Sequence, residues 1–170
     1  MRPFALALAS ALLISCGGER AGGLSVEVVD LAGLDAALLK HRGSGVLLNF
    51  WAMWCAPCVE ELPELIEVAR ESALDGGRVV LVSYDLIVPK AKREGMRERV
   101  LDFAKQRGFE APIYVYDGPD YEAINARFQL PGGVPVTLAI DAKGQIVEVH
   151  DGVADKARFR ELMDAALGKR

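Results

Sequence analysis

Cys55 and Cys58, in the run Trp54-Cys55-Ala56-Pro57-Cys58, are the residues of this 170-residue chain whose type and spacing best suit chemistry. A disulfide needs Cα atoms about 4.4–6.8 Å apart, and two residues between the cysteines in a first helical turn permit that. The run lies where a buried strand gives way to a helix. Val46–Trp51 is apolar almost without alternation, and Val59, Leu62, Leu65, Ile66, Ala69 and Ala73 then recur at helical spacing. A helix start presents unpaired N–H groups and the positive end of the helix dipole. Both favour a thiolate, so the pKa of the first cysteine is expected below the free value of about 8.5. Pro57 is tolerated there because a first-turn N–H has no helical partner to lose. Cys58, one turn further in, is expected to be less exposed. Cys55 therefore attacks and Cys58 resolves the mixed disulfide.

Other uses of a CxxC pair fit less well. Structural zinc wants four ligands, and the chain offers this pair and two distant histidines, His41 and His150. Covalent haem attachment wants a histidine directly after the second cysteine, where this chain has Val59. No metal site is expected. A copper(I) site built from two thiolates is chemically allowed and stays open as an alternative.

The elements that must position the pair follow from periodicity. Strands are expected at 26–29, 46–51, 79–84, 113–116, 136–140 and 146–150. Helices are expected at 31–40, 58–74, 90–107, 120–128 and 155–167. Pro63 should kink the second helix, Gly76-Gly77 should end it, and Asp155 is the expected N-cap of the last. Asp141-Ala142-Lys143-Gly144 is a hairpin loop. Strands separated by helices imply parallel crossovers, and the late hairpin an antiparallel edge, giving an α/β sandwich with a mixed central sheet. Trp51 is expected in the core. Trp54 is expected at the rim, covering the thiols and meeting a partner.

Val46-Leu47-Leu48-Asn49-Phe50-Trp51-Ala52-Met53-Trp54-Cys55-Ala56-Pro57-Cys58 resembles the active-site segment of the thioredoxin superfamily. Asn49, where thioredoxin has a buried aspartate, is similar to the membrane-anchored TlpA/ResA branch. So are Cys58-Val59-Glu60-Glu61-Leu62-Pro63 and the added helix and strand at 90–116. The resemblance implies a thioredoxin-like three-layer sandwich over 25–170 with an added αβ insertion. It also implies thiol–disulfide exchange without a cofactor. It carries over Glu61 as the active-site acid, a proton relay for Cys58 whose pKa burial should raise; Glu60 and Glu64 compete for that role. Pro135, in Val134-Pro135-Val136-Thr137, matches the cis-proline that faces the thiols and turns the Val134 backbone toward an extended substrate segment. Trp54, Ala56, Pro57, Val134 and Pro135 are the implied substrate contacts. Leu130-Pro131-Gly132-Gly133 is one residue longer than the usual spacing before that proline. The branch implies a reductase of exported proteins' disulfides, with apocytochrome c as a typical target class and a membrane thiol–disulfide electron donor. A disulfide oxidase on the same fold is the alternative. A peroxidase fits less well, because such enzymes commonly lack the WCxxC signature.

Residues 1–15 read as a secretory signal: one charge at Arg2, an apolar run from Phe4 to Ile14, and Leu13-Ile14-Ser15-Cys16, which resembles the lipobox of bacterial lipoproteins. Cys16 is the expected lipidation site, and 16–24 a flexible glycine-rich tether holding the domain at a membrane surface. With Cys16 lipidated, only Cys55 and Cys58 remain of three cysteines, in an exported and oxidising setting. The net charge of −4 and the absence of a basic block argue against nucleic acid as a partner. A hydrophobic content of 51% supports one packed domain.

Overall fold

The computed structural model describes residues 23–87, 93–119 and 121–169. The expected signal segment, Cys16 and most of the tether lie outside them, as do positions 90–92 and 120 of two expected helices.

The chain runs β1 (Ser25–Val29), α1 (Leu31–Leu39), β2 (Gly45–Trp51), α2 (Ala56–Ser72), β3 (Gly77–Ser83), α3 (Met96–Gln106), β4 (Pro112–Tyr116), α4 (Tyr121–Phe128), β5 (Val136–Ile140), β6 (Ile146–Asp151) and α5 (Lys156–Ala166). The six strands form one sheet in the order β1-β4-β3-β2-β5-β6. β1, β4, β3 and β2 are mutually parallel, whereas β5 runs antiparallel to β2 and β6 antiparallel to β5. This is the mixed sheet that the alternation of strands and helices implies.

Alternation along β2 sorts the layers, because successive side chains of a strand face opposite ways. Asn49 and Trp51 point toward α2 and α3: Asn49 bonds Glu61, and the Trp51 ring lies 5.7 Å from that of Phe103. Phe50 points the other way and packs on Phe128 of α4, with ring centroids 5.6 Å apart. Every residue of β2 is buried, which explains why Val46–Trp51 is apolar at every position but Asn49. β6, an edge strand, alternates half-buried and exposed positions.

α2 lays Leu62, Leu65 and Ile66 into the core. Each such fully buried side chain contributes roughly 1.5–3 kcal/mol relative to exposure. The helix begins at Ala56, two residues before the expected start. It runs on through Pro63 and ends in a 3₁₀ turn, Ala73–Asp75, closed by left-handed Gly76. Gly77 already belongs to β3. A Cβ there would stand 2.5 Å from Ser72 Oγ and 2.8 Å from Met163 Sδ, so the close approach of α2 and α5 to β3 requires glycine.

α3 is shorter than expected. It starts at Met96 after Gly95, whose φ of 65° is left-handed, so the helix cannot extend back through it. Asp155 caps α5 as expected, its side chain accepting the Arg158 N–H at 2.8 Å. The 141–144 loop closes the β5–β6 hairpin, with Asp141 Oδ1 accepting the N–H groups of Lys143 and Gln145.

Candidate active site

β2 ends at Trp51, and the chain turns through Ala52–Trp54 into α2. Cys55 is the N-cap of that helix. Its Sγ accepts the backbone N–H of Cys58 at 3.3 Å, and its carbonyl accepts that of Val59 at 3.1 Å. The Cys55 sulfur thus sits where the helix dipole and an otherwise unpartnered N–H converge. Cys55 and Cys58 are joined by a disulfide with Cα atoms 5.3 Å apart. Cys55 keeps 6% of its surface exposed and Cys58 none. Pro57 occupies the first turn, where its missing N–H costs no helical bond.

The rim contains the other expected contacts. Trp54 is 58% exposed, while Trp51 is wholly buried. Ala56 and Pro57 are exposed. The Val134–Pro135 peptide bond is cis, and the Val134 carbonyl oxygen lies 3.8 Å from Cys55 Sγ. The longer segment before it is held at two points: Leu130 N–H donates to the Asn125 carbonyl at 2.9 Å, and Tyr121 O–H to that of Gly132 at 2.9 Å. Gly132 takes a φ of 104°, which its lack of a Cβ allows.

One turn further along α2 from Cys58 lies a polar cluster within the core. Glu61, one turn beyond Cys58, is 3% exposed. Its Oε1 accepts Asn49 Nδ2–H at 3.0 Å and its Oε2 accepts the Ala154 N–H at 2.9 Å. Asn49 Nδ2 also donates to Thr137 Oγ1 at 2.9 Å. Burial pushes the Glu61 carboxyl up from 4.5 to about 6, against the lowering effect of the Ala154 and Asn49 hydrogen bonds. The two competing glutamates differ in place. Glu60 and Glu64 are both exposed, and Glu64 accepts the Lys156 N–H. Among the three, only Glu61 is buried.

A second carboxylate supports the turn. Asp85, 2% exposed, accepts the Met53 N–H with both oxygens, at 3.0 and 3.1 Å, and the Ser83 hydroxyl at 2.7 Å. Burial raises its pKa. Sequence patterns do not single out Asp85, Thr137 or Ala154. An aspartate past a strand end reads as a loop residue, and a backbone N–H carries no side-chain signal.

Residues 19–149 match the AhpC/TSA family. The thiol-disulfide oxidoreductase ResA of Geobacillus kaustophilus is 33% identical over 138 residues, covering 81% of this chain and 72% of that protein. A thioredoxin-family thiol:disulfide interchange protein from Chlorobium tepidum superposes with a TM-score of 0.61 at 27% identity, over 76% of this chain and 84% of that one. An exposed lipoprotein thioredoxin, Etrx1, from Streptococcus pneumoniae gives a TM-score of 0.57 at 25% identity, over 75% and 88%.

Proposed function

The chain belongs to the AhpC/TSA family and is a thiol–disulfide oxidoreductase with a Cys55–Cys58 pair, and from that premise we propose that it reduces disulfides of exported proteins outside the cytoplasm, held at a membrane by lipid on Cys16. The observation that carries this reading is the position of Cys55: helix N-cap, keeping a small exposed surface where Cys58 keeps none, bonded to Cys58, with the Val134 carbonyl beside it. The lipobox-like Leu13-Ile14-Ser15-Cys16 supports the location, as does the structural likeness to Etrx1, an exposed lipoprotein of Streptococcus pneumoniae.

In the reduced protein the Cys55 thiolate attacks a target disulfide. One target sulfur leaves as a thiolate and takes a proton, and a Cys55–target disulfide forms. Cys58 passes its proton to the Glu61 carboxylate and attacks Cys55 Sγ. The Cys55–target bond breaks, the Cys55–Cys58 bond forms, and the second target thiolate regains a proton. The target ends reduced by two electrons and the enzyme pair oxidised. A membrane thiol–disulfide donor restores the dithiol. Trp54 and the Val134 backbone hold the target segment, and apocytochrome c thiols are a target class that the TlpA/ResA resemblance favours.

The decisive experiment expresses Cys58→Ala in the native host and isolates mixed disulfides. Targets are expected to stay attached through Cys55 and to be released by dithiothreitol; a correctly exported variant that captures nothing would sink the reading. The potential of the pair fixes the direction. A value near thioredoxin's, about −270 mV, supports the reductase, and one near −120 mV makes the protein an oxidase instead.

A further inference from the structure

Asn49 stands in the middle of β2, directly opposite Thr137 of β5 in the antiparallel register, and neither residue is exposed. One amide hydrogen goes to Glu61 Oε1 and the other to Thr137 Oγ1. The second carboxylate oxygen of Glu61 accepts the Ala154 N–H. Both of these partners of Glu61 are donors. That arrangement suits a carboxylate and not a carboxylic acid, whose proton needs an acceptor. A backbone N–H cannot become one, but the Asn49 amide can. Its Oδ1 is buried and has no hydrogen-bond partner among the described residues. A half-turn about Cβ–Cγ exchanges nitrogen and oxygen, placing two lone pairs where two hydrogens had been. The Thr137 hydroxyl donates as readily as it accepts, so it fits either orientation.

We propose that Asn49 is a positioning residue for the proton step: its amide holds Glu61 when ionised and turns over to accept the carboxyl proton when Glu61 is protonated. The inference rests on the reading of Glu61 as the relay for Cys58. In each orientation one end of the amide is left without a partner, so the two arrangements differ by little besides the Glu61 proton, and that proton decides between them. Over the resolving step the proton leaves Cys58 Sγ, resides on Glu61 against Asn49 Oδ1, and is regained by the departing target thiolate. The electron pair moves from Cys58 into the new Cys55–Cys58 bond.

The test uses the full chain, with asparagine labelled in nitrogen and glutamate in its carboxyl carbon. In the wild-type protein, nuclear Overhauser contacts between the Asn49 side-chain NH₂ and the Thr137 side chain are expected to be strong above the Glu61 midpoint and to weaken below it. Contacts that stay constant through that midpoint overturn the proposal, and this measurement needs no variant. In Asn49→Leu, which removes both the donor to the carboxylate and the weaker, uncharged contact to the carboxyl proton, the ionised form loses more, and the Glu61 midpoint and the pH profile of mixed-disulfide resolution are expected to rise together. Resolution at pH 6 is expected to slow about tenfold, the effect of one hydrogen bond to a charged group. A purely structural amide would lower stability and leave the profile in place, which counts against the proposal. Glu61→Gln separates the two readings. A wild-type profile in that variant means that Glu61 is no relay. Loss of the profile there, with no movement in Asn49→Leu, refutes the role of Asn49 alone.

Discussion

Glu61 of α2 accepts the backbone N–H of Ala154 at 2.9 Å, so the helix that starts at Cys55 is tied through its buried carboxylate to the loop leading into α5. The same residue therefore serves two ends: it joins two elements of the fold and holds a titratable group one turn along α2 from Cys58.

That dual position gives stability a pH dependence of known sign. The folded value of about 6 lies above the ordinary 4.5, so the folded state binds this proton more tightly than the unfolded one. The stabilisation from Glu61 is fully present below 4.5 and is lost as pH rises through about 6. The difference corresponds to roughly 2 kcal/mol. Guanidinium titrations of the oxidised protein are expected to show wild type losing about that much relative to Glu61→Gln between pH 4 and pH 7.5. Parallel curves for the two proteins would contradict the assignment.

Trp54 is expected to matter for binding and not for folding. At 58% exposure its ring is mostly in water, so Trp54→Ala should change unfolding free energy by under about 1 kcal/mol. The same substitution should raise KM for protein disulfides several-fold while leaving the rate with a small disulfide reagent nearly unchanged. An equal loss with both substrates would place Trp54 in the chemistry of the thiols themselves.

Asp85 should behave in the opposite way. Asp85→Ala leaves the Met53 N–H and the Ser83 hydroxyl without their carboxylate in a buried site, and a hydrogen bond to a charged group contributes about 1.5–3 kcal/mol. A drop of about 2–3 kcal/mol is expected, with Asp85→Asn intermediate. Amide exchange at Met53 should accelerate in both variants. Unchanged exchange would show that the turn before Cys55 holds its shape without this carboxylate.

Gly77→Ala tests the contact between the helices and β3. The added methyl would meet Ser72 and Met163 at under 3 Å. Overpacking of this kind costs about 1–3 kcal/mol. Thermal melts should show the loss, and Gly133→Ala, where an added Cβ meets nothing within 4 Å and the backbone is not left-handed, serves as the control that keeps its stability.

The order of elements and the location of the disulfide were legible in the sequence because each has a local cause. From Val46 to Trp51 β2 is apolar except at Asn49 because both its faces are covered, and α2 announces itself by Leu62, Leu65 and Ile66 at helical spacing. Helix ends were less legible. α3 starts after Gly95, whose left-handed backbone is a conformational choice that composition alone does not reveal. The partners of Glu61 come from positions 12, 76 and 93 residues away or from the backbone itself: Asn49 directly, Thr137 through Asn49, and the Ala154 N–H. Only the crossing of β5 beside β2 brings them together.

The parallel strands also fix which way the sulfurs look. Gly23 borders a cavity with Gly77 and Arg78, at the end of the sheet where β3 begins, whereas Cys55 follows the end where β2 finishes. The described residues therefore begin at one pole of the sheet and carry their disulfide at the other, so a contact made at Gly23 falls on the pole away from Cys55.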